Sequence, residues 1–363
     1  MSAQALAVEN VSVGLGAFAL REISLAVAPG EVLVLLGPNG AGKSVILETI
    51  AGFHRPLEGR IRIGGRDVTA MPPEARHVGY VFQNFALFPH LSVVQNVRFA
   101  TEARGGAPVA RAEGERRIAG LLQRFGLAQL ADRRPADLSG GEKQRVALAR
   151  ALATDPAVFL FDEPFSALDA ATRDVLRDEL AGFLGEAQVP ALYVTHDYAE
   201  AMAFADRVAV IDGGAIAQYG SAEQVFAAPG TTRIARMLGV ANILEGEVRA
   251  VAGGEARVAL GGLELQVPLH ERSVAAGQRV WVSVRGEDLA LLAPGQASAV
   301  TDIVLPAKVL RIVSHGPLVR VVCDCGIPLT AYLTPAQCRQ PALAPGAQVA
   351  VALPRAALNL LVS

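Results

Sequence analysis

Lysine is almost missing from these 363 residues. It stands only at 43, 143 and 308, and arginine supplies the rest of the 33 basic side chains. Acids number 35, so the net charge is -2, and the basic excess of a nucleic-acid binder is lacking. Long apolar runs are lacking too. The greasiest stretches, Val32–Leu36 and Val158–Phe161, have strand length, far short of the ~18 residues of a membrane helix. Residues Met1–Val8 carry neither the basic start nor the apolar core of a secretion signal, so a cytoplasmic protein is expected. Cysteine occurs three times, all late (Cys323, Cys325, Cys338), and an odd count speaks for thiols and against a disulfide framework. Charged residues are only 19% against 52% hydrophobic, which excludes intrinsic disorder and allows a large core.

What is present alternates. Strand-like Val32–Leu36, His77–Val81, Val158–Phe161, Ala191–Val194 and Arg207–Ile211 are separated by helical Ser44–Ala51, Glu113–Phe125, Glu142–Ala153 and Ala171–Leu184. Such alternation predicts an α/β domain with a mostly parallel sheet. Between His90 and Ala136 the pattern is mainly helical, with a break at Gly105–Pro108, which predicts a helical subdomain over about residues 88–155. After about residue 240 the texture becomes short alternating strands between Gly and Pro turns, as in a small all-β barrel or sandwich. We therefore expect domains at 1–240 and 241–363. The tail echoes itself. Ala275-Ala-Gly-Gln-Arg-Val-Trp-Val returns as Ala344-Pro-Gly-Ala-Gln-Val-Ala-Val, which predicts two copies of one β module.

The sharpest motif is Gly37, Pro38, Asn39, Gly40, Ala41, Gly42, Lys43, Ser44, between an apolar strand and a helical run. In that context it reads as a phosphate-binding loop. Glycines let backbone N–H groups ring the phosphates, Lys43 reaches the terminal phosphates, and the Ser44 hydroxyl suits Mg²⁺. Downstream, Val158–Phe161 runs into Asp162 and Glu163 at a strand's carboxyl end, where α/β sheets bind ligands. Asp162 is placed to hold Mg²⁺, and Glu163 to polarise an attacking water. Between them, Leu138-Ser-Gly-Gly-Glu-Lys-Gln144 opens another helix with small residues.

On these motifs and their order, residues 5–240 resemble the ATP-binding subunit of ABC transporters, whose signature is Leu-Ser-Gly-Gly-Glu/Gln. The resemblance implies a P-loop ATPase using ATP and Mg²⁺, with Ser139, Gly140, Gly141 and Glu142 closing on the ATP of a partner subunit. It implies that Gln83 senses Mg²⁺ and the permease, that Ser166 and Asp169 belong to the loop after the catalytic Glu163, and that His196 contacts the γ-phosphate. It also implies a second copy or a paralogue, transmembrane permease subunits, and a place on the cytoplasmic face of the cell membrane, with no nucleic-acid partner. The family usually stacks adenine on an aromatic before the P-loop. Here Leu15 stands where Tyr is expected, and Phe18 either takes that place or points inward as a strand residue.

The Phe85–Val93 segment reads either as the permease docking site or as ordinary core. A β tail after such an ATPase resembles importers served by a periplasmic or extracellular binding protein. Two stretches, Gly42–Phe53 and Ile327–Gln337, resemble the molybdate/tungstate importer ATPase and the molybdate-binding (MOP/TOBE, OB-like) module. A tail of that kind suggests an oxyanion site at Thr301, Lys308, Thr330 and Thr334, the alternative being a dimer scaffold. Cys323-Asp-Cys325 lacks further metal ligands and reads as structural. Sulfate, ferric-iron, polyamine and sugar importers share nearly all these motifs. A soluble, non-transport ABC ATPase is the alternative of another class.

Overall fold

Val32–Leu36 is buried at every position. So are Val158–Asp162 and Ala191–Thr195, as expected of strands covered on both faces, which read as apolar runs without alternation. In the computed structural model, which describes residues 4–102, 108–166, 168–269, 272–296, 302–339 and 343–361, these are neighbours in one six-stranded sheet. Its order is Ala215–Ser221, Arg207–Asp212, Val32–Leu36, Ala191–Thr195, Val158–Asp162, Val78–Val81, parallel throughout except for the first pair. The register sets Leu36 beside Thr195 and Val210, and Asp162 beside Val194. Three strands thus end at one level, and the chain leaves them as Gly37, Glu163 and His196.

A second sheet, antiparallel, has the order Phe18–Val27, Leu6–Leu15, Glu58–Ile63, Arg66–Asp67. Its strands are missing from the sequence reading. Register shifts between Val8, Val11 and Val13 break the period of two, so no regular alternation marks the strand. Leu6, Leu20 and Ile23 from this sheet, Leu33 and Leu35 from the other and Ile46 and Ile50 from helix Lys43–Ala51 form one core. The helices Val93–Glu102, Pro108–Arg124 and Gly140–Ala153 pack on one another. The expected break at Gly105–Pro108 lies mostly outside the described residues.

The chain divides into two compact units, Met1–Ala222 and Glu223–Ser363. That division falls upstream of the change in texture at 240, because the helix Thr232–Met237 goes with the second unit. The second unit holds two five-stranded antiparallel sheets around a common core. The echoed segments make equivalent turns. Gly277 N–H donates to Val248 O and Gly346 N–H to Val309 O, both at 2.7 Å, with the two glycines at φ 84° and 90°. The final short strands are exchanged. Ala290–Leu292 pairs with Gln348–Pro354 of the later sheet, and Asn359–Leu361 pairs with Arg279–Val284 of the earlier one.

Candidate functional site

The loop after Val32–Leu36 turns into its helix through Gly42, at φ 107°. A Cβ there would lie 2.6 Å from Leu20 Cδ2 and 2.7 Å from Phe18 Cζ, so only glycine fits. Lys43, nearly buried, donates from Nζ to Gly37 O (3.0 Å) and Pro38 O (3.2 Å) and lies 3.5 Å from Glu163 Oε1. The other Glu163 oxygen is 3.0 Å from His196 Nδ1. Glu163 itself sits at φ 43°, with its N–H on Val194 O at 3.0 Å, and this strained turn aims its side chain back over the strand ends. One carboxylate therefore bridges Lys43 and His196, two residues that the sequence separates widely.

Beside it, Ser44 Oγ donates to Asp162 Oδ1 at 3.0 Å, and Tyr80 OH to Asp162 Oδ2 at 3.3 Å. Burial raises the Asp162 carboxyl above the usual range, and these two hydrogen bonds pull the other way. A serine hydroxyl and a carboxylate at hydrogen-bond distance form a hard-oxygen pair that fits Mg²⁺. Gln83, exposed, reaches Ser166 Oγ at 3.5 Å. Lys43, Ser44, Gln83 and Glu163 meet at a cleft of about 600 Å³, lined also by Leu15, Phe18, Asn39, Gly40, Gly42 and Val45. Phe18 and Leu15 both line the cleft while packing against the core, so the two alternatives for Phe18 are not exclusive.

Ser139, Gly140, Gly141 and Glu142 lie elsewhere, lining a second cleft of about 390 Å³ with Leu168 and Asp169. Among the described residues the two clefts share no lining residue. Ser139 caps its helix in a capping box: its Oγ accepts from Glu142 N–H (3.3 Å), and Glu142 Oε2 accepts from Ser139 N–H (2.7 Å). That bond holds the Glu142 carboxyl below its ordinary range. Gly141 must be small, since a Cβ would meet Thr172 Cγ2 at 2.8 Å.

The Phe85–Val93 segment is tied down by residues the sequence reading missed. Arg150 donates to Phe85 O (3.0 Å) and Ala86 O (2.6 Å), residues at φ 60° and 48°. Buried Asn96 bonds Phe88 N–H and the carbonyls of Phe88, Leu91 and Ser92. The available signal was one arginine inside the apolar run Val146–Ala153. Tyr80 gave none, because its partner Asp162 lies far off in the chain.

Of the tail residues named for an oxyanion, Thr301 lies outside the described residues. Thr330 is buried, its N–H and carbonyl bonded to the Asn242 side chain at 2.7 and 2.9 Å. Thr334 Oγ1 bonds Gln337 Oε1 at 2.9 Å, beyond the strand end. Lys308 is exposed, one strand removed from that of Thr330. The three described residues are spread over separate places and not gathered into one cradle. Cys323 and Cys325 pack on the tail core, where burial pushes their thiols up to about 11 and about 12. Among the described residues no group of three or more His, Cys, Asp or Glu could hold a metal.

Residues 20–166 match the ABC transporter family model. A molybdate/tungstate import ATP-binding protein of Pyrococcus abyssi is 39% identical over 98% of this chain and 99% of its own length. A spermidine/putrescine import ATP-binding protein of Frankia alni is 44% identical over 75% of this chain, which spans only 60% of that protein's length. A ferric-ion import ATP-binding protein of Rhizobium etli, 41% identical, covers 79% of the chain, matched over 80% of its own length. Among solved structures, a dimeric ATP-binding cassette in a post-hydrolysis state with ADP and phosphate superposes with a TM-score of 0.53 at 29% identity. It covers 60% of this chain and 98% of its own.

Proposed function

The chain belongs to the ATP-binding proteins of ABC transporters, and we propose that it is the ATP-hydrolysing subunit of an importer. The observation that carries the chemistry is Glu163 held between Lys43 and His196 at the edge of the phosphate-loop cleft. With ATP in that cleft, the N–H groups of Gly40–Ser44 and the Lys43 ammonium surround the β- and γ-phosphates. Ser44 and Asp162, with Gln83 nearby, would hold Mg²⁺, which when bound neutralises charge on the phosphate oxygens. Glu163 orients a water in line with the γ-phosphorus. The water oxygen bonds to phosphorus, passing a proton to the Glu163 carboxylate, as the bond to the bridging oxygen breaks, and ADP and phosphate leave. His196, linked to Glu163, faces the same phosphate.

The Ser139–Glu142 edge shares one cleft with Leu168 and Asp169, apart from the cleft of the chain's own phosphate loop. That separation supports a head-to-tail pair in which each copy's signature completes the other's site. No helix among the described residues is long and apolar enough to cross a membrane. Permease subunits would therefore carry the pore, with this chain docked on their cytoplasmic side and a binding protein delivering the solute.

For the solute we propose molybdate, tungstate or a similar oxyanion. Support comes from the full-length relationship, tail included, to a protein named for molybdate/tungstate import. Two experiments test these readings. Glu163→Gln is expected to bind ATP like the parent and to hydrolyse it at least about 100-fold more slowly; hydrolysis at the parent rate would remove Glu163 from its role. Deleting the gene in its host is expected to abolish uptake of tungstate and spare putrescine and ferric iron. Loss of either of the latter, with tungstate uptake intact, replaces the oxyanion reading.

A further inference from the structure

Glu163 and His196 also line a third, smaller polar cavity, of about 40 Å³, with Ser166, Arg173, Thr195, Asp197 and Glu200. Arg173 stands in the first turn of helix Ala170–Ala187 and does not line the nucleotide cleft. Its fork is divided. Nη1 meets Asp197 Oδ2 at 3.4 Å, and Nη2 donates to Leu168 O at 3.1 Å. Its third nitrogen, Nε, is buried without an acceptor among the described residues. Asp197 follows His196 directly, while Leu168 lies between Ser166 and Asp169.

Asp197 uses its other oxygen to cap the next helix, accepting from Ala199 N–H (2.7 Å) and Glu200 N–H (3.3 Å). The residue before His196 is fixed as well. Thr195 Oγ1 accepts from Asp197 N–H at 2.9 Å and donates to Glu200 Oε2 at 2.6 Å. His196 is thus carried between two anchored neighbours, and the anchor on its far side leads through Arg173 to the Leu168 carbonyl.

We propose that Arg173 is a positioning residue for hydrolysis, tying the backbone that carries His196 to the Ser166–Asp169 loop. A planar guanidinium can hold two acceptors in fixed relation, whereas an ammonium is a single point charge. Because Leu168 and Asp169 also wall the cleft of Ser139–Glu142, a second copy pressing on that wall displaces the same strut. The inference rests on the ATPase reading above and adds a route by which contact at the signature cleft aligns His196 with Glu163.

The test measures ATP hydrolysis by the full chain in the parent, Arg173→Ala, Arg173→Lys, Asp197→Asn and the Arg173→Ala/Asp197→Asn double variant. Asparagine keeps an oxygen for the Ala199 and Glu200 N–H groups, so it preserves the cap and removes only the anionic acceptor. Arg173→Ala is expected to lower kcat at least about tenfold with KM for ATP within about threefold. Asp197→Asn should fall in the same direction, and the double variant should be no slower than the worse single one. Arg173→Lys, able to make one of the two contacts, should lie between parent and alanine. Parent-like kcat in Arg173→Ala, a loss confined to KM, or fully additive losses in the double variant overturns the proposal. Should Arg173→Ala unfold, parent-like kcat in Asp197→Asn overturns it just as well. A parent chain that binds ATP without hydrolysing it sinks the ATPase reading before any variant is compared.

Discussion

Glu200 shows what a single buried side chain does under the catalytic loop. It is nearly inaccessible and accepts from Tyr193 OH (3.0 Å) and Thr195 Oγ1 (2.6 Å) on one oxygen. Burial raises its carboxyl above the ordinary value of 4.5, against the pull of those hydrogen bonds. The folded chain therefore holds this proton more tightly than the unfolded chain. Its contribution to stability is fully present below the unfolded value and is lost as pH rises through the raised one. Glu200→Gln keeps an acceptor for both hydroxyls and has nothing to ionise. Relative to the parent, its melting temperature should rise as pH goes from about 5 to about 8. A difference that stays flat across that range would show that the charged form costs nothing here. Glu200 was silent in the sequence, since a glutamate two residues into a helix looks like an ordinary solvated or dipole-favoured acid. Lys43, Ser44, Asp162 and Glu163 were legible because each stands in a contiguous motif whose backbone geometry is local, whereas His196 was named only through the family resemblance.

Elements depend on how their ends are satisfied. Helix Lys43–Ala51 ends over Arg76, whose guanidinium donates to Thr49 O (2.8 Å) and Ile50 O (2.9 Å), and also to Met71 O and Thr69 O. Arg76 is buried, and desolvation lowers its own affinity for a proton. Arg76→Ala would take this donor from the Ile50 carbonyl, while Thr49 O keeps the Gly52 N–H at 3.2 Å, and should cost about 2–4 kcal/mol in denaturant unfolding. A change within experimental error would mean that water takes over the bonds. The tail strand Asp302–His315 carries a proline in its first half. Pro306 argues against a strand. In the fold it is tolerated because residues 302–308 pair on one side, with Gln348–Pro354, and pairing on the other side begins only at Lys308. Its missing N–H falls on the side where, among the described residues, no strand pairs with it.

At the scale of the molecule, the tail's two sheets complete each other through their last strands. Asn359–Leu361 lies beside Trp281–Ser283, far back in the chain, and Asn242 links Val284 O with Thr330. A chain ending at Pro354 should therefore lose amide protection in Trp281–Ser283 and in the sheet of Asn242–Ala252. The sheet of Gln348–Pro354, nearer the cut, should hold its protection better. Hydrogen exchange read by mass spectrometry decides this, and loss confined to the later sheet would refute the exchange.

The sequence by itself determined what lies within one short stretch of chain: the strand, phosphate loop and helix at Val32–Ala51, the capped signature helix, the buried parallel strands, and a tail of echoed β turns. Loop conformation and helix capping need only neighbours, and residue types such as Gly42 or Ser139 report them directly. Tertiary structure alone decided which distant groups share a site. Sheet order brings Glu163 between Lys43 and His196, sets Tyr80 on Asp162, joins Asp197 to Leu168 through Arg173, and spreads Lys308, Thr330 and Thr334 apart. Those distances follow from which strands lie side by side, and the strand pairings that fix them join residues far apart in the chain, where no local pattern records them.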